Sequence, residues 1–319
     1  MKILITGASG WLGSELTERL LEEGNSIRAF VLFSSKKLSE LKEKYNGLLE
    51  IIEGDICNKN DVDKCLEKID MVYHLAAKVH SLPKSKEDEE QFFKINTEAT
   101  EQLFKLCLKH KVKRVIFYSS VSVYGESEKI IDVNSPKHPV TAYAKSKLMA
   151  EEIGLRLFNE QGLPITIIEP VTVYGGDDVG NFEKLKKLVN KGFVPRFGEG
   201  ENKKTIIYYK DLISMTIKIA KDINMIGKVI ICGSESISYN TIVDILSKSS
   251  DRKVSILKIN NRFTKFIVSS CNFINLGLTK KIGRQIVVLQ SNNEYEISES
   301  SRYLNNFTNF QMYCEQGGE

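Results

Sequence analysis

The chain has 319 residues, of which 27% are charged and 42% hydrophobic, and its formal net charge is +4 at pH 7. That length holds one large domain or two intimately joined ones around a sizeable core, and the composition is that of an ordinary soluble globular protein. A charge so small and so dispersed argues against a nucleic-acid partner and mildly favours an anionic ligand.

The opening MKILITGASG enters a strand and a turn at once, unlike a signal peptide, so a cytoplasmic protein is expected. Lys2–Thr6 is an apolar run that stops at Gly7, as a buried parallel strand does. Residues 11–23 have helical spacing, with Leu12, Leu16, Leu20 and Leu21 on one side and Gly24 as the stop. Residues 27–33 read as a second strand, 36–45 as a polar amphipathic helix, 48–53 as a third strand and 71–75 as a fourth. One long helix over 87–110, a strand over Arg114–Tyr118, a helix over 141–160 and a strand over 164–169 follow. This alternation predicts an α/β protein with a doubly wound parallel sheet and ligands at the carboxyl ends of its strands.

Beyond Pro170 the rhythm loosens. Residues 181–191 read as helix, 206–209 and 228–232 as strands, and Tyr239–Ser249 as helix, while 250–319 give no clear pattern. The expected division is 1–170, with parts of 200–235, and a smaller discontinuous α+β lobe within 171–319. The apolar stretch 263–278 is broken by polar residues and too short to span a bilayer, so a groove-lining helix is expected there and no membrane span. The six cysteines form no C-x-x-C and no zinc-spaced Cys/His cluster, which predicts reduced thiols and no metal site.

Two features carry chemistry. Gly7, Gly10 and Gly13 lie between an apolar strand and an amphipathic helix. Glycines there permit a tight turn and close approach of backbone N–H groups to a pyrophosphate at a helix start. Tyr143 and Lys147 stand four residues apart on a predicted helix, hence on one face. A lysine beside a phenol favours the phenolate and makes the tyrosine an acid/base near neutral pH. An exposed Tyr/Lys pair on an ordinary helix is the plainer alternative.

The stretch TGASGWLG at 6–13 resembles the short-chain dehydrogenase/reductase superfamily, and within it the extended branch of NAD(P)-dependent nucleotide-sugar epimerases and dehydratases. The resemblance implies a Rossmann sheet with a substrate-binding lobe. It also implies that Gly7, Ser9, Gly10, Trp11, Leu12 and Gly13 hold the dinucleotide. GDI at 54–56 is similar to the family's adenine-binding turn, which implies Asp55 at the adenine amino group with Ile56 beside it. HLAAK at 74–78 resembles the fourth-strand end along the cofactor, which implies contacts from Leu75, Ala76, Ala77 and Lys78, the last also reaching substrate. Asn96 in KINT matches a family asparagine on the cofactor side of the long helix. FYSSVSVYG at 117–125 resembles the catalytic serine strand, with Ser120 as the match, Ser122 the near alternative and Ser119 beside the cofactor. Tyr143 and Lys147 match the family's Y-x-x-x-K, and PVTVYG at 170–175 resembles the nicotinamide loop, with Pro170 and Val173 as contacts.

Read together, Ser120 would hold the substrate oxygen, Tyr143 would pass the proton, and Lys147 would hold the ribose and depress the phenol. After the second strand the segment 28–37 has no acid for a ribose diol, while Ser34 and Lys36, with Ser35 and Lys37, are placed to receive a 2′-phosphate. NADP is therefore favoured slightly over NAD. In the second half, 180–185 and 197–212 resemble nucleotide-sugar epimerases and reductases, which implies Asn181 and Lys204 at a nucleotide diphosphate. Two positions depart from the family: Glu169 and Lys204 stand where it usually has arginine. The segment 74–81 looks like reductases and epimerases of surface-polysaccharide sugar pathways. A C4 epimerase and a 4-keto reductase are both consistent with this, and a dihydroflavonol- or 3β-hydroxysteroid-type NADPH reductase is a third reading. A non-catalytic NADP-sensing protein is the alternative of another class, disfavoured because serine, tyrosine and lysine are all present. Related enzymes pair through the long helices, so a homodimer is expected.

Overall fold

The computed structural model describes residues 1–79, 83, 85–176, 181–250, 254–260 and 291–317. The apolar stretch 263–278 lies outside them. The chain divides into two compact units. One comprises Met1–Gly125, Pro136–Pro170 and Leu212–Cys232, the other Glu126–Ser135, Val171–Asp211 and Gly233–Glu319.

The first unit is built on seven parallel strands: β1 (Lys2–Thr6), β2 (Ser26–Val31), β3 (Leu49–Glu53), β4 (Met71–His74), β5 (Arg114–Tyr118), β6 (Ile165–Pro170) and β10 (Val229–Cys232). Their order across the sheet is β10-β6-β5-β4-β1-β2-β3, so the winding reverses between β1 and β4. In such sheets the crevice at the carboxyl ends of the two strands flanking the reversal receives ligands. The strands carry near-continuous apolar residues because helices cover both faces. Leu4, Val72, Val115, Phe117, Ile165 and Ile167 pack with Leu103, Phe104, Ala150 and Leu157 from the helices, all at 5% exposure or less. Each such large apolar side chain contributes about 1.5–3 kcal/mol by leaving water.

The connecting helices are α1 (Trp11–Glu22), α2 (Lys36–Lys44), α3 (Lys59–Cys65), α4 (Lys86–Phe93), α5 (Ala99–Lys109) and α6 (Ala142–Gln161). The helix expected to run unbroken over 87–110 is instead α4 and α5 joined by a π-helical turn, Lys94–Glu98. Side chains of that turn bond to residues outside it. Asn96 Nδ2 donates to the Lys78 carbonyl and to Ser146 Oγ, and Thr97 Oγ1 donates to the Ser146 carbonyl. Such insertions mark sites where helix regularity yields to a local constraint. The start of α6 follows from its ends: Thr141 accepts from Ala144 N at 3.0 Å, and Gly162 closes the helix in the left-handed region at φ 74.

The second unit holds β7 (Thr172–Tyr174), α7 (Asn181–Asn190), β8 (Phe193–Phe197), β9 (Lys203–Tyr208), β11 (Glu235–Ser238), α9 (Tyr239–Ser249) and β12 (Ser255–Ile259). β9 pairs parallel with β7 and antiparallel with β11, and β12 pairs parallel with β8. Where sequence predicts strand at 206–209, β9 begins earlier, and α8 (Tyr209–Lys221) starts at the last of those residues. The patternless terminus contributes a helix, Phe310–Glu315, capped by Asn309. Phe310 and Tyr313 from it pack with Tyr174, whose ring centroid lies 5.2 and 5.3 Å from theirs. Among the described residues no helix is long and apolar enough to cross a membrane.

Candidate active site

The turn after β1 is shaped by what a side chain would strike. Gly7 sits at φ 72, and a Cβ there would come within 2.7 Å of Ala76 N. A Cβ on Gly13 would lie 2.2 Å from the Gly7 carbonyl oxygen, and one on Gly10 3.3 Å from it. The turn therefore folds onto itself and onto residues 75–76, and only glycine fits at 7 and 13. Leu75 N bonds the Thr6 carbonyl at 3.1 Å and Ala76 N reaches Thr6 Oγ1 at 3.3 Å, so the β4 end is tied to the β1 end. The first residues of α1, Trp11 and Leu12, follow Gly10 as N-cap, with no side-chain cap and no acid in the first turn. A helix start of that kind presents amide groups and a partial positive charge to an anion. The fit to a dinucleotide pyrophosphate rests on this glycine cradle.

Towards β2 the structure rearranges the expected picture. Ser34 N donates to Glu53 Oε1 at 2.9 Å, so a carboxylate from β3 stands beside the β2 end. Ser35 caps α2, Lys36 is 91% exposed at 3.6 Å from Glu40, and Lys37 pairs with Glu15 and Glu18. Asp55 is exposed and accepts from Cys57 N at 2.9 Å, while Ile56 packs against the core.

Ser120, Tyr143 and Lys147 gather near the β5 end. Ser120 accepts from Ser122 N at 3.2 Å and is hydrogen-bonded to the Tyr143 phenol. Lys147, 2% exposed, lies with Nζ 4.5 Å from the Phe117 ring centroid. Ser122 Oγ is buried and has no partner among the described residues. From sequence, Lys147 is expected to depress the phenol. In the folded protein burial wins: it pushes Tyr143 up to about 12 against the Ser120 hydrogen bond, and it pulls Lys147 down to about 7. The Glu151 carboxylate holds the lysine up against that fall.

Several residues expected at the cofactor serve as braces. Asn96 is fully buried and accepts from Lys78 N at 2.7 Å while donating to the Lys78 carbonyl. Lys78 Nζ pairs with Asp88 at 2.6 Å over the Phe92 ring. His74 is fully buried between Thr6 and Thr100, at 2.7 and 2.9 Å, and burial lowers it to about 3, so it is a neutral ring. Ser119 Oγ donates to Glu151. Sequence reasoning missed the charges beneath. Lys137 Nζ bonds Glu151 and, at 2.7 Å, Glu169, and the Tyr124 hydroxyl donates to Glu169 at 2.7 Å. The unusual acid at 169 was the one signal; nothing in the sequence singles out Lys137.

Pro170 ends β6, whereas Val173 lies on β7 in the second unit. In that unit Asn181 opens α7. Lys204 Nζ donates to the Ser291 carbonyl at 2.5 Å and to its hydroxyl at 3.1 Å, and burial lowers the ammonium to about 8.

A parallel sheet in this order, with a glycine-cradled and uncapped helix start, is the doubly wound arrangement of dinucleotide-binding α/β proteins. The chain belongs to the NAD dependent epimerase/dehydratase family, whose profile matches residues 3–233. It is 27% identical over 266 residues to an uncharacterized UDP-glucose epimerase of Bacillus subtilis (strain 168), covering 80% of this chain and 84% of that one. It is 30% identical over 220 residues to a UDP-glucose 4-epimerase of Vibrio cholerae, covering 67% and 65%. A solved UDP-glucuronic acid 4-epimerase from Bacillus cereus, in complex with UDP-glucuronic acid and NAD, matches with TM-score 0.78 at 25% identity, covering 100% and 98%.

Proposed function

We propose that this chain acts at C4 of a nucleotide-diphosphate sugar as an epimerase, with Tyr143 as acid/base. The observation that carries the proposal is the hydrogen bond between Tyr143 and Ser120, with Lys147 buried one turn along the same helix. Ser120 holds the sugar oxygen. Tyr143 moves the proton at that oxygen, and Lys147, one turn along α6, holds the ribose of the cofactor beside it. A bound nicotinamide dinucleotide supplies hydride exchange. For it we assign Gly7, Ser9, Gly10, Trp11, Leu12 and Gly13 to the pyrophosphate, and Asp55 with Ile56 to the adenine. Leu75, Ala76, Ala77, Pro170 and Val173 are assigned along its length.

We assign NAD over NADP, departing from the lean given by the missing acid after β2. Glu53 fixes a carboxylate at the β2 end, and Lys36 and Lys37 are already paired with carboxylates. A 2′-phosphate there would meet negative charge. The same missing acid favours a second reading, a 4-keto reductase using NADPH. Asn181 and Lys204 are assigned to the nucleotide diphosphate. A homodimer through the helices at 87–111 and 141–160 completes the proposal, supported by Met149 on α6, which is 43% exposed, and tested by sedimentation velocity.

The test is a panel of nucleoside-diphosphate sugars assayed for C4 inversion, with the cofactor that remains on purification identified. Tyr143→Phe is expected to retain dinucleotide binding and to lose about 10²–10⁴-fold in turnover. Turnover retained in that variant refutes the assignment. NADPH-dependent reduction of a 4-keto sugar, without inversion, selects the second reading.

A further inference from the structure

Glu151 on α6 and Glu169 on β6 are 1% and 0% exposed, and the chemistry above uses neither. Both reach one nitrogen. Lys137 Nζ, from the loop before α6, pairs with Glu151 Oε2 and lies 2.7 Å from Glu169 Oε1. We propose that Lys137 is a positioning residue: through these two carboxyl groups it clamps both ends of the turn that carries Ser120. The proposal rests on the roles given to Ser120 and Tyr143 above, and the experiment below separates the two.

The turn runs from Ser119, just after β5, through the single 3₁₀ turn Val121–Tyr124 to Gly125. Each carboxyl takes one end of it. Ser119 Oγ donates to Glu151 Oε1, and the Tyr124 hydroxyl donates to Glu169 Oε2 at 2.7 Å. Ser120 stands between them, with its hydroxyl on Ser122 N and the Tyr143 phenol. The oxygens left over, Glu151 Oε2 and Glu169 Oε1, meet at Lys137 Nζ, which closes the path from residue 119 to residue 124. The ammonium also lies 5.2 Å from the centroid of the Tyr124 ring. The loop that carries Lys137 rests on the same turn. His138 N donates to the Tyr124 carbonyl at 3.3 Å, and Gly125, at φ 73, lies so close that a Cβ there would come within 2.4 Å of the His138 carbonyl oxygen.

A cation at this point decides whether the clamp holds. Two buried carboxyl groups that face each other repel when both are charged, and burial makes that repulsion costly. Burial and the Glu169 carboxylate push Glu151 up, so the two acids share a proton and, with the lysine charged, the set of three is neutral. The bonds from Nζ survive that proton, because a protonated carboxyl keeps an accepting oxygen. Without Nζ, each carboxyl keeps its bond to the turn and turns its other oxygen towards a second acid. The two side chains then part and carry Ser119 and Tyr124 with them. Misplacement of a reacting group by about 1 Å costs about 10²-fold in rate.

The experiment reads Tyr143, the partner of Ser120. Tyrosine labelled with ¹³C at Cζ is followed by NMR at neutral pH, with the Tyr143 resonance assigned by its loss in Tyr143→Phe. Ser120→Ala sets the scale by removing the hydrogen bond outright. Lys137→Met is expected to move the resonance in the same direction by a comparable displacement, and Lys137→Arg, which keeps the charge and the donors, to return it towards the parental position. Leu66→Ala, a cavity in the core of the same unit, is the control for lost stability and is expected to leave the resonance in place. A parental resonance in Lys137→Met overturns the proposal, and so does equal movement in Leu66→Ala. On the sugar that the parent protein inverts in the panel above, kcat of Lys137→Met is expected to fall by about 10–10²-fold while KM changes less. Parental kcat in that variant, alongside lost turnover in Tyr143→Phe, overturns the proposal as well. If Lys137→Met does not fold, Tyr124→Phe, which removes only the hydroxyl tether to Glu169, is read in its place, and an unmoved Tyr143 resonance there counts equally against it. Turnover retained in Tyr143→Phe would sink the chemistry assigned to the phenol while leaving the resonance test of Lys137 intact.

Discussion

Urea unfolding followed across pH tests whether the buried carboxyl of Glu151 behaves as its surroundings dictate. Burial and the neighbouring Glu169 carboxylate push it up from 4.5 to about 8, against the pull of Lys137 and Ser119. A carboxyl raised on folding contributes stability that is complete below its unfolded value and lost as pH rises to its folded value. One proton taken up on folding gives a fall of about 1.4 kcal/mol per pH unit at most. Lys147 acts in the opposite sense. Its lowered value, about 7 in place of 10.5, means that stability is lost as pH falls through 7 and regained as pH rises towards 10.5. Carboxylates held low by partners, such as Glu50 beside Arg28, have given their full contribution by pH 5 and add no slope above it. His74, lowered from 6.5 to about 3 by burial, acts in the same sense as Lys147 and adds stability as pH rises from 5 to about 6.5. It offsets most of the Glu151 fall, so the sum is a change of no more than about 1 kcal/mol between pH 5 and 7, and a rise above 8. The assay is the free energy from urea titrations at pH 5, 6, 7 and 8, followed by near-ultraviolet circular dichroism. Glu151→Gln removes the Glu151 contribution and is expected to leave a rise of about 1–2 kcal/mol between pH 5 and 7, that of His74. A Glu151→Gln variant whose stability stays flat or falls over that interval refutes the reasoning.

Two further outcomes follow from the dinucleotide side. Gly13→Ala places a methyl 2.2 Å from the Gly7 carbonyl oxygen, which forces the turn open. Overpacking of that kind costs about 1–3 kcal/mol, so a lower melting temperature and at least about tenfold weaker NAD binding by calorimetry are expected, about 1.4 kcal/mol. Wild-type affinity in the variant would remove the turn from the cofactor site. Glu53→Ala takes away the carboxylate beside Ser34, and the ratio of NAD to NADP affinity is expected to fall by about tenfold; an unchanged ratio would show that Glu53 does not discriminate between them.

What the sequence makes legible is what local pattern encodes. β1 and α1 are readable because an apolar run, three glycines and a leucine stripe fall in consecutive registers. Tyr239–Ser249 is readable for the same reason, and Ser238 caps it by accepting from Thr241 N. The π-turn at Lys94–Glu98 is not, because it answers bonds from Asn96 and Thr97 to residues 18 to 50 positions away. The sense of the tyrosine shift is lost likewise. Spacing places Lys147 one turn along from Tyr143, but desolvation, which depends on everything packed around α6, sets the direction of the tyrosine's shift. The charge set is the most distributed feature: Lys137, Glu151 and Glu169 are joined across 14 and 32 positions, from a loop, a helix and a strand. A buried acid at 169 without a partner would be costly, and the sequence alone does not say which residue meets it. Only the fold identifies Lys137 as the cation that meets Glu169, and thereby turns an isolated departure from the family pattern into a buried Lys137–Glu151–Glu169 cluster.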